Sequence, residues 1–265
     1  MTYRLHKYPR TPHLNGSRLQ PGDEELSVVS LEHLKGLNLV VEEKLDGANS
    51  AVSFGREGRL LLQSRGHFLD GGPRERHFGM LKAWAVSIQS DLRAALGTRF
   101  VMYGEWLYAK HTIFYDALPH YFFEFDVLDK EAGEFLSTPA RRELLKGVPV
   151  HSAPVLYTGV TPTAAVLSAL IRPSAFQSER WRESLAAVCE VRGLDAARAL
   201  RETDGAGLME GLYVKVEEGG RVAERFKFVR ASFTQAVADS DEHWLNRPVI
   251  PNQLSEGVSL FAPNA

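Results

Sequence analysis

The segment Glu42-Glu43-Lys44-Leu45-Asp46-Gly47-Ala48-Asn49 sets a lysine between two short runs of strand-forming residues. A lysine amine is a poor nucleophile while protonated, with an unperturbed pKa of about 10.4. Partial burial and cationic neighbours lower that value and free the amine to attack phosphorus or carbonyl carbon. Gly47 would let the backbone approach a bound ligand closely. Taken alone, Lys-x-Asp-Gly is as readily a charged turn. Downstream, Gln63-Ser64-Arg65-Gly66 carries an arginine whose planar fork can grip a phosphate or simply point into solvent. Glu105, in Tyr103-Gly104-Glu105-Trp106, sits among aromatics and needs a partner, because an unpaired buried carboxylate is costly. A ribose hydroxyl, a metal or an ion-pair partner would each serve.

In Phe122-Phe123-Glu124-Phe125-Asp126-Val127, alternation puts Phe123, Phe125 and Val127 on one face and Phe122, Glu124 and Asp126 on the other. An aromatic ring at a pocket edge can stack on a base, worth about 1–3 kcal/mol; which phenylalanine does so is left open between Phe123 and Phe125. Two final segments, Glu210-Gly211-Leu212-Tyr213-Val214-Lys215 and Arg225-Phe226-Lys227, are expected to bring a carboxylate and several cations to one place. Arg225 and Lys227 share a face, with Phe226 and Phe228 opposite.

These residues need strands to position them, and the chain supplies the signals. LNLVVEE, AVSF and LLLQS read as strands, the last two joined by the tight Gly55-Arg56-Glu57-Gly58 connection. Phe78, Leu81, Trp84, Ile88, Leu92 and Leu96, three or four apart, predict one amphipathic helix over 75–96 closed by Gly97. Two long aromatic strands follow, and then a helix capped by Ser137-Thr138, with Pro139 in its first turn and Gly147 as stop. Residues 160–202 read as two or three helices, EGLYVKVE and VAERFKFV as the last strands, and 231–246 as helical. The expected organisation is a single α+β domain over 1–265, with an extended arm at 1–36 and a C-terminal helix and tail at 231–265.

Composition agrees with this picture: 265 residues, 44% hydrophobic, 24% charged, net charge -2. A uniformly basic nucleic-acid coat is thereby excluded; a local basic groove is not. Cys189 is the sole cysteine, so neither an intrachain disulfide nor a cysteine-rich zinc site is possible. No apolar run approaches the ~18 residues of a membrane span, and the expectation is a cytoplasmic protein with no membrane partner. Arginines at 56, 59, 65, 74 and 76, and Arg221, Arg225, Lys227 and Arg230, form two local patches for phosphates. Arg10 and His13 are candidates for contacting substrate ends; His111 and His120 read as structural.

The order of the segments resembles the covalent nucleotidyltransferase superfamily of ATP-dependent ligases and capping enzymes. Its six motifs are Lys-x-Asp-Gly, Ser-Arg, a Gly-Glu strand, an aromatic strand ending in Phe-Asp, Glu-Gly-x-x-x-Lys and Lys-x-Lys. All occur here in family order between Lys44 and Lys227. Glutamate before the lysine, Asp-Gly-x-Asn after it, the YGEW strand and the KFVR ending are similar to the RNA-ligase-2-like branch, the nick-sealing RNA ligases.

That resemblance implies a nucleotidyltransferase fold (an ATP-grasp-like adenylation domain of antiparallel sheets flanked by helices), with ATP and Mg²⁺ as cofactors and RNA ends or a nicked duplex as partner. Lys44 would attack the α-phosphorus and carry AMP. Lys215 and Lys227 would neutralise that phosphate and press the Lys44 pKa down. Arg65 would hold the acceptor phosphate, Glu210 would act with the metal, Glu105 would bind the ribose and Phe125 would stack on adenine. Asp46 and Asn49 would shape the nucleophile loop, and Glu43 would lie beside the base. Arg225 departs from the lysine usual in the last motif. Only 43 residues precede Lys44 and 38 follow Lys227. An OB barrel needs on the order of 70, so no OB domain is expected, and either the catalytic domain grips the nucleic acid alone or a partner protein supplies the rest. The alternatives are a DNA ligase, a guanylyltransferase that prefers GTP, or a nucleic-acid-end binding module without turnover.

Overall fold

The computed structural model describes residues 3–19, 22–233 and 248–261. Strands β1 (His13–Leu14) and β2 (Val28–Val29) lie within the arm and precede β3 (Asn38–Lys44), β4 (Ala48–Phe54) and β5 (Leu60–Ser64). Helices α1 (Gly79–Ser87) and α2 (Gln89–Leu96) lead to β6 (Phe100–Trp106), β7 (Phe122–Asp129), β8 (Glu134–Leu136) and α3 (Thr138–Leu144). Then come β9 (His151–Ser152), β10 (Val155–Val160), α4 (Ala164–Ala169), α5 (Trp181–Val191), α6 (Ala196–Arg201), β11 (Gly211–Glu218) and β12 (Arg221–Val229).

The sheet runs β10-β3-β11-β12-β8-β7-β6-β4-β5, and its neighbours along that path are antiparallel. It is an α+β architecture of the expected kind. Two half-sheets, β10-β3-β11-β12 and β7-β6-β4-β5, meet through short β8, which shares only two residue pairs with each neighbour. The larger core packs α1 and α2 onto β4, β6 and β7 through Leu81, Trp84, Leu92, Leu96, Met102 and Phe122. A second core, with Val41, Leu212, Val214 and Phe226, covers the other half.

Several local signals hold. Ser137 caps α3, its hydroxyl accepting from the Ala140 amide, and the 160–202 stretch forms three helices. The single helix expected over 75–96 is instead a 3-10 turn (Pro73–Phe78) followed by α1 and α2, which break at Ile88. The helix read over 231–246 falls largely on 234–247, outside the described residues. Among the described residues no helix is long and apolar enough to cross a membrane.

Candidate active site

Lys44 is the last residue of β3, and Leu45-Asp46-Gly47 carries the chain from one half-sheet to the other. Asp46 pins this crossing. Its Oδ2 accepts from the amides of Thr112 and Ile113, both at 2.7 Å, and its own amide donates to Tyr115 Oη at 3.0 Å. The close approach at Gly47 that the structure shows is to protein: it lies against β6 and the residue after it. A Cβ at this position would sit 2.6 Å from Leu107 Cδ2 and 2.7 Å from the Trp106 carbonyl oxygen. Its amide donates to Glu105 Oε1 at 3.1 Å. Gly47→Ala is therefore expected to cost about 1–3 kcal/mol through overpacking. An unchanged urea midpoint would contradict that close approach.

A cavity of ≈ 210 Å³ opens beside Lys44 between the half-sheets, bordered by Glu43, Asn49, Arg65, Glu105, Phe125, Glu210 and Lys227. Strand register explains which residues reach it. Glu42, Tyr213 and Lys227 form one row across β3, β11 and β12, and all three border the cavity. Lys215 and Arg225 occupy a row two residues farther along, about 7 Å away, and do not border it. Asp46 is likewise behind the wall. The carboxyl of Glu43 turns to Ser174 and Arg172; burial raises its pKa to about 7 against these two.

A β-bulge sets where the two phenylalanines lie. Gly104 pairs with Glu124 and Tyr103 with Asp126, so Phe125 has no cross-strand partner. The expected common face of Phe123, Phe125 and Val127 is thereby broken. Phe123 and Val127 enter the large core, while Phe125 packs in a cluster with Tyr8, Tyr103 and Tyr213 and borders the cavity.

Of the arm, the sequence pointed only to Arg10 and His13. Tyr8, Pro9, Thr11 and Asp23 make one wall together with Arg10, and the Tyr8 hydroxyl bonds Asp126 and Tyr213. Nothing local marks Tyr8 as buried; only its position over the sheet does. Tyr213, inside the Glu210–Lys215 segment, could have been found by alternation from Lys215.

Lys44 Nζ donates to Glu210 Oε2 at 2.7 Å. Burial opposes charge on the amine, but Glu210, Glu105 and Asp46 outweigh it and hold the pKa above the ordinary lysine value. This corrects the expectation that Lys215 and Lys227 depress it. Burial raises Glu105 to about 7 against Lys44 and Arg65, and Glu210 to about 7 against Lys44. Lys227, its pKa lowered by burial, pairs with Asp23, which also meets His13 Nε2 at 3.0 Å. His13 is fully buried and so is not placed to touch substrate ends.

Lys215 belongs to a buried network beneath the cavity. It lies 2.8 Å from Glu42 and 3.2 Å from Asp126, while Arg141 lies 2.6 Å from Glu42 and 3.2 Å from Glu124. Arg225 stacks on the Phe135 ring at 3.7 Å and adds a third cation near Asp126. Three carboxylates thus face three cations. Of the expected 221–230 phosphate patch, Arg221 pairs with Glu134 at the surface and Arg230 with Asp204, and Lys227 alone borders the cavity.

The model of the RNA ligase family matches residues 37–229, more than half of the chain. Among solved structures, a variant of Naegleria gruberi RNA ligase with ATP and Mn is similar at 18% identity and TM-score 0.52, covering 86% of this chain and 57% of that one. A second variant with ATP and Mn is similar at 17% identity and TM-score 0.50, covering 76% and 51%. This chain therefore spans about half the length of the solved RNA ligases it resembles, and at such identity the likeness speaks for the fold. No curated protein matches the sequence. The family match across both half-sheets and the crossing that carries Lys44 leads to one conclusion: the chain belongs to the RNA ligase family.

Proposed function

We propose that this chain is an ATP-dependent RNA ligase acting through a covalent lysyl-AMP. The observation that carries the reading is the position of Lys44 Nζ, in a cavity that also holds Phe125, Glu105, Glu210 and Lys227. Lys44 Nζ forms a P–N bond to the α-phosphorus while the bond to pyrophosphate breaks. A 5′-phosphate oxygen then takes the AMP and releases the lysine. Last, a 3′-hydroxyl attacks that phosphate, the phosphodiester forms and AMP leaves. The RNA ligase family match, and relatives solved with ATP and Mn, support the use of ATP and a divalent cation.

Before nucleotide enters, Glu210 and Asp23 are the counter-ions of Lys44 and Lys227. Phosphate oxygens replace them: Lys227 takes the α-phosphate and Arg65, exposed at the rim, the acceptor phosphate. Phe125 offers a ring to the base, and Glu105 a carboxylate to the ribose. The Glu210 carboxylate, a hard oxygen donor, fits a divalent cation that keeps one or two carboxylates and completes its shell with phosphates; no cluster of three or more acidic, His or Cys ligands exists among the described residues. Such a cation supplies charge neutralisation at the phosphates.

The test is incubation with α-labelled ATP, or GTP, and Mg²⁺, followed by denaturing gel and by sealing of nicked RNA and DNA duplexes. Label from ATP with sealing of RNA is expected. Preference for GTP, or sealing of DNA strands alone, would replace this reading by one of its relatives.

The pH profile gives a second expectation. The attacking amine must lose its proton, and the Glu210 carboxylate favours keeping it. Single-turnover adenylylation is therefore expected to rise with pH. Glu210→Gln removes that carboxylate, so the rise moves to lower pH even as the maximal rate falls. A rise that stays in place would show that Glu210 does not set the protonation of Lys44.

A further inference from the structure

A second cleft, of ≈ 670 Å³, lies at the far end of the strands that carry Asn49 and Glu105. Arg4, His6, Arg56 and Lys130 line it together with Ser53 and Thr98, and no carboxylate does. The neighbours that might neutralise it are otherwise engaged: Asp129 and Glu131, on either side of Lys130, both meet Arg99. Glu57 is exposed on the adjoining turn and does not line the cleft. Among the described residues, neither Arg4, Arg56 nor Lys130 pairs with a carboxylate. Burial, then the charges of Lys130 and Arg4, hold the His6 imidazole below its ordinary pKa, and burial lowers Lys130. Like charges gathered without a counter-ion are costly, and an anion would relieve them.

The cleft shares a face of the sheet with the catalytic cavity. The arm runs between the two: Tyr3 packs over Gly55, where a Cβ would lie 2.4 Å from its ring. The His6 carbonyl accepts from Gln63 and Tyr103, and Tyr8 reaches the cavity. Residues 1–22 contain Arg4, Lys7, Arg10 and Arg18 and no Asp or Glu; Arg4 and Lys7 are exposed between cleft and cavity, and Arg10, also exposed, pairs with Asp23 at the cavity end. A basic track thus joins cleft and cavity on a chain whose net charge is -2. From Asn49 to Phe54 along β4 is about 17 Å, roughly five phosphates of a stacked strand.

We propose that the cleft of Arg4, His6, Arg56 and Lys130 binds a backbone phosphate of the RNA strand whose end is joined at Lys44, about five nucleotides from that end. The site is sequence-blind, because it offers cations to a phosphodiester and nothing to a base edge. It rests on the RNA ligase reading above for the identity of the strand, though not for the anion chemistry.

The test measures binding of 5′-phosphorylated RNAs of about three and about twelve nucleotides across a salt series. It compares the wild-type chain, Arg4→Gln/Arg56→Gln at two exposed positions, and Lys130→Gln. For the longer RNA, the slope of log K against log salt is expected to fall by about 0.7 for each phosphate contact removed. The shorter RNA cannot span the distance, and its slope should stay the same. Equal slopes for wild type and both variants would overturn the proposal, as would an equal loss for the short RNA. A raised KM for ATP with RNA slopes unchanged would also overturn it, making the cleft a site for nucleotide or free phosphate. Self-labelling of the wild-type chain by ATP is scored separately. Its absence, alongside length-dependent slopes, would sink the ligase reading and leave this site standing.

Discussion

Lys44→Ala is expected to abolish self-labelling by ATP, a loss of at least about 10⁴-fold, because no other amine borders the cavity at the same point. Lys227, the other lysine there, is held by Asp23 from the opposite wall. The same variant should still seal an RNA strand that already carries AMP on its 5′-phosphate. In that last step the lysine is no longer the nucleophile, and Glu105, Arg65 and Lys227 still frame the reacting phosphate. Arginine at position 44 should behave like alanine, since its guanidinium stays charged. The comparison is made by gel, with labelled ATP in one arm and pre-adenylylated nicked RNA in the other. A Lys44→Ala chain that labels normally would remove Lys44 from the chemistry. One that fails with both substrates would mean that the lysine holds the site together.

The second large effect is on stability. Arg141, fully buried, is the cation between Glu42 and Glu124, and Glu42 stands two residues before Lys44 on the same strand face. Arg141→Met leaves two carboxylates without their main partner. Removing one member of a buried ion pair costs about 3–5 kcal/mol, a large share of the 5–15 kcal/mol typical of a folded domain. At roughly 2–4 °C per kcal/mol for a chain of this size, the melting temperature should fall on the order of 10 °C. The pH dependence has a definite sign. Burial already raises the folded-state pKa of Glu124 in the intact network, and loss of the Arg141 charge raises it further. Protonation of Glu124 then favours the folded chain, so the deficit is full above that raised value and shrinks as pH falls through it. Adding Glu42→Gln and Glu124→Gln to Arg141→Met should recover much of the loss. Urea unfolding at two pH values checks both points, and a cost below about 1 kcal/mol would mean that the network is solvated rather than buried.

What could be read from the sequence follows from how local each signal is. The β4–β5 hairpin, the Ser137 cap and the paired strands β11 and β12 are written within a few residues of one another, and the structure has them. The positions around Lys44 were legible as a set because charges were spaced along strands that had to be buried. The fate of Lys215 and Arg225 was not. Both share a face with Tyr213 and Lys227, and only the register of β3 against β11 and β12 sets them one row too deep. Phe125 was ambiguous for the same reason: the bulge opposite Tyr103-Gly104 belongs to the pairing of two strands and to neither alone. Tyr8, Asp23 and Arg141 reach the site from 36, 21 and 97 residues away from Lys44 in sequence, with nothing in their neighbourhoods to announce it. The depressed lysine pKa expected from the cationic motifs failed because the charges of Glu210, Glu105 and Asp46 outweigh burial at that amine.

The central claim is that the Lys44 amine carries the nucleotide, and mass spectrometry of the chain after incubation with ATP and Mg²⁺ tests it most directly. The intact chain should gain one AMP, and peptide mapping should put it on Lys44 through a bond that acid cleaves and mild alkali spares, as expected of a phosphoramidate. Added pyrophosphate should remove it. AMP mapped to another residue, or an unmodified chain that is demonstrably folded, would contradict the account.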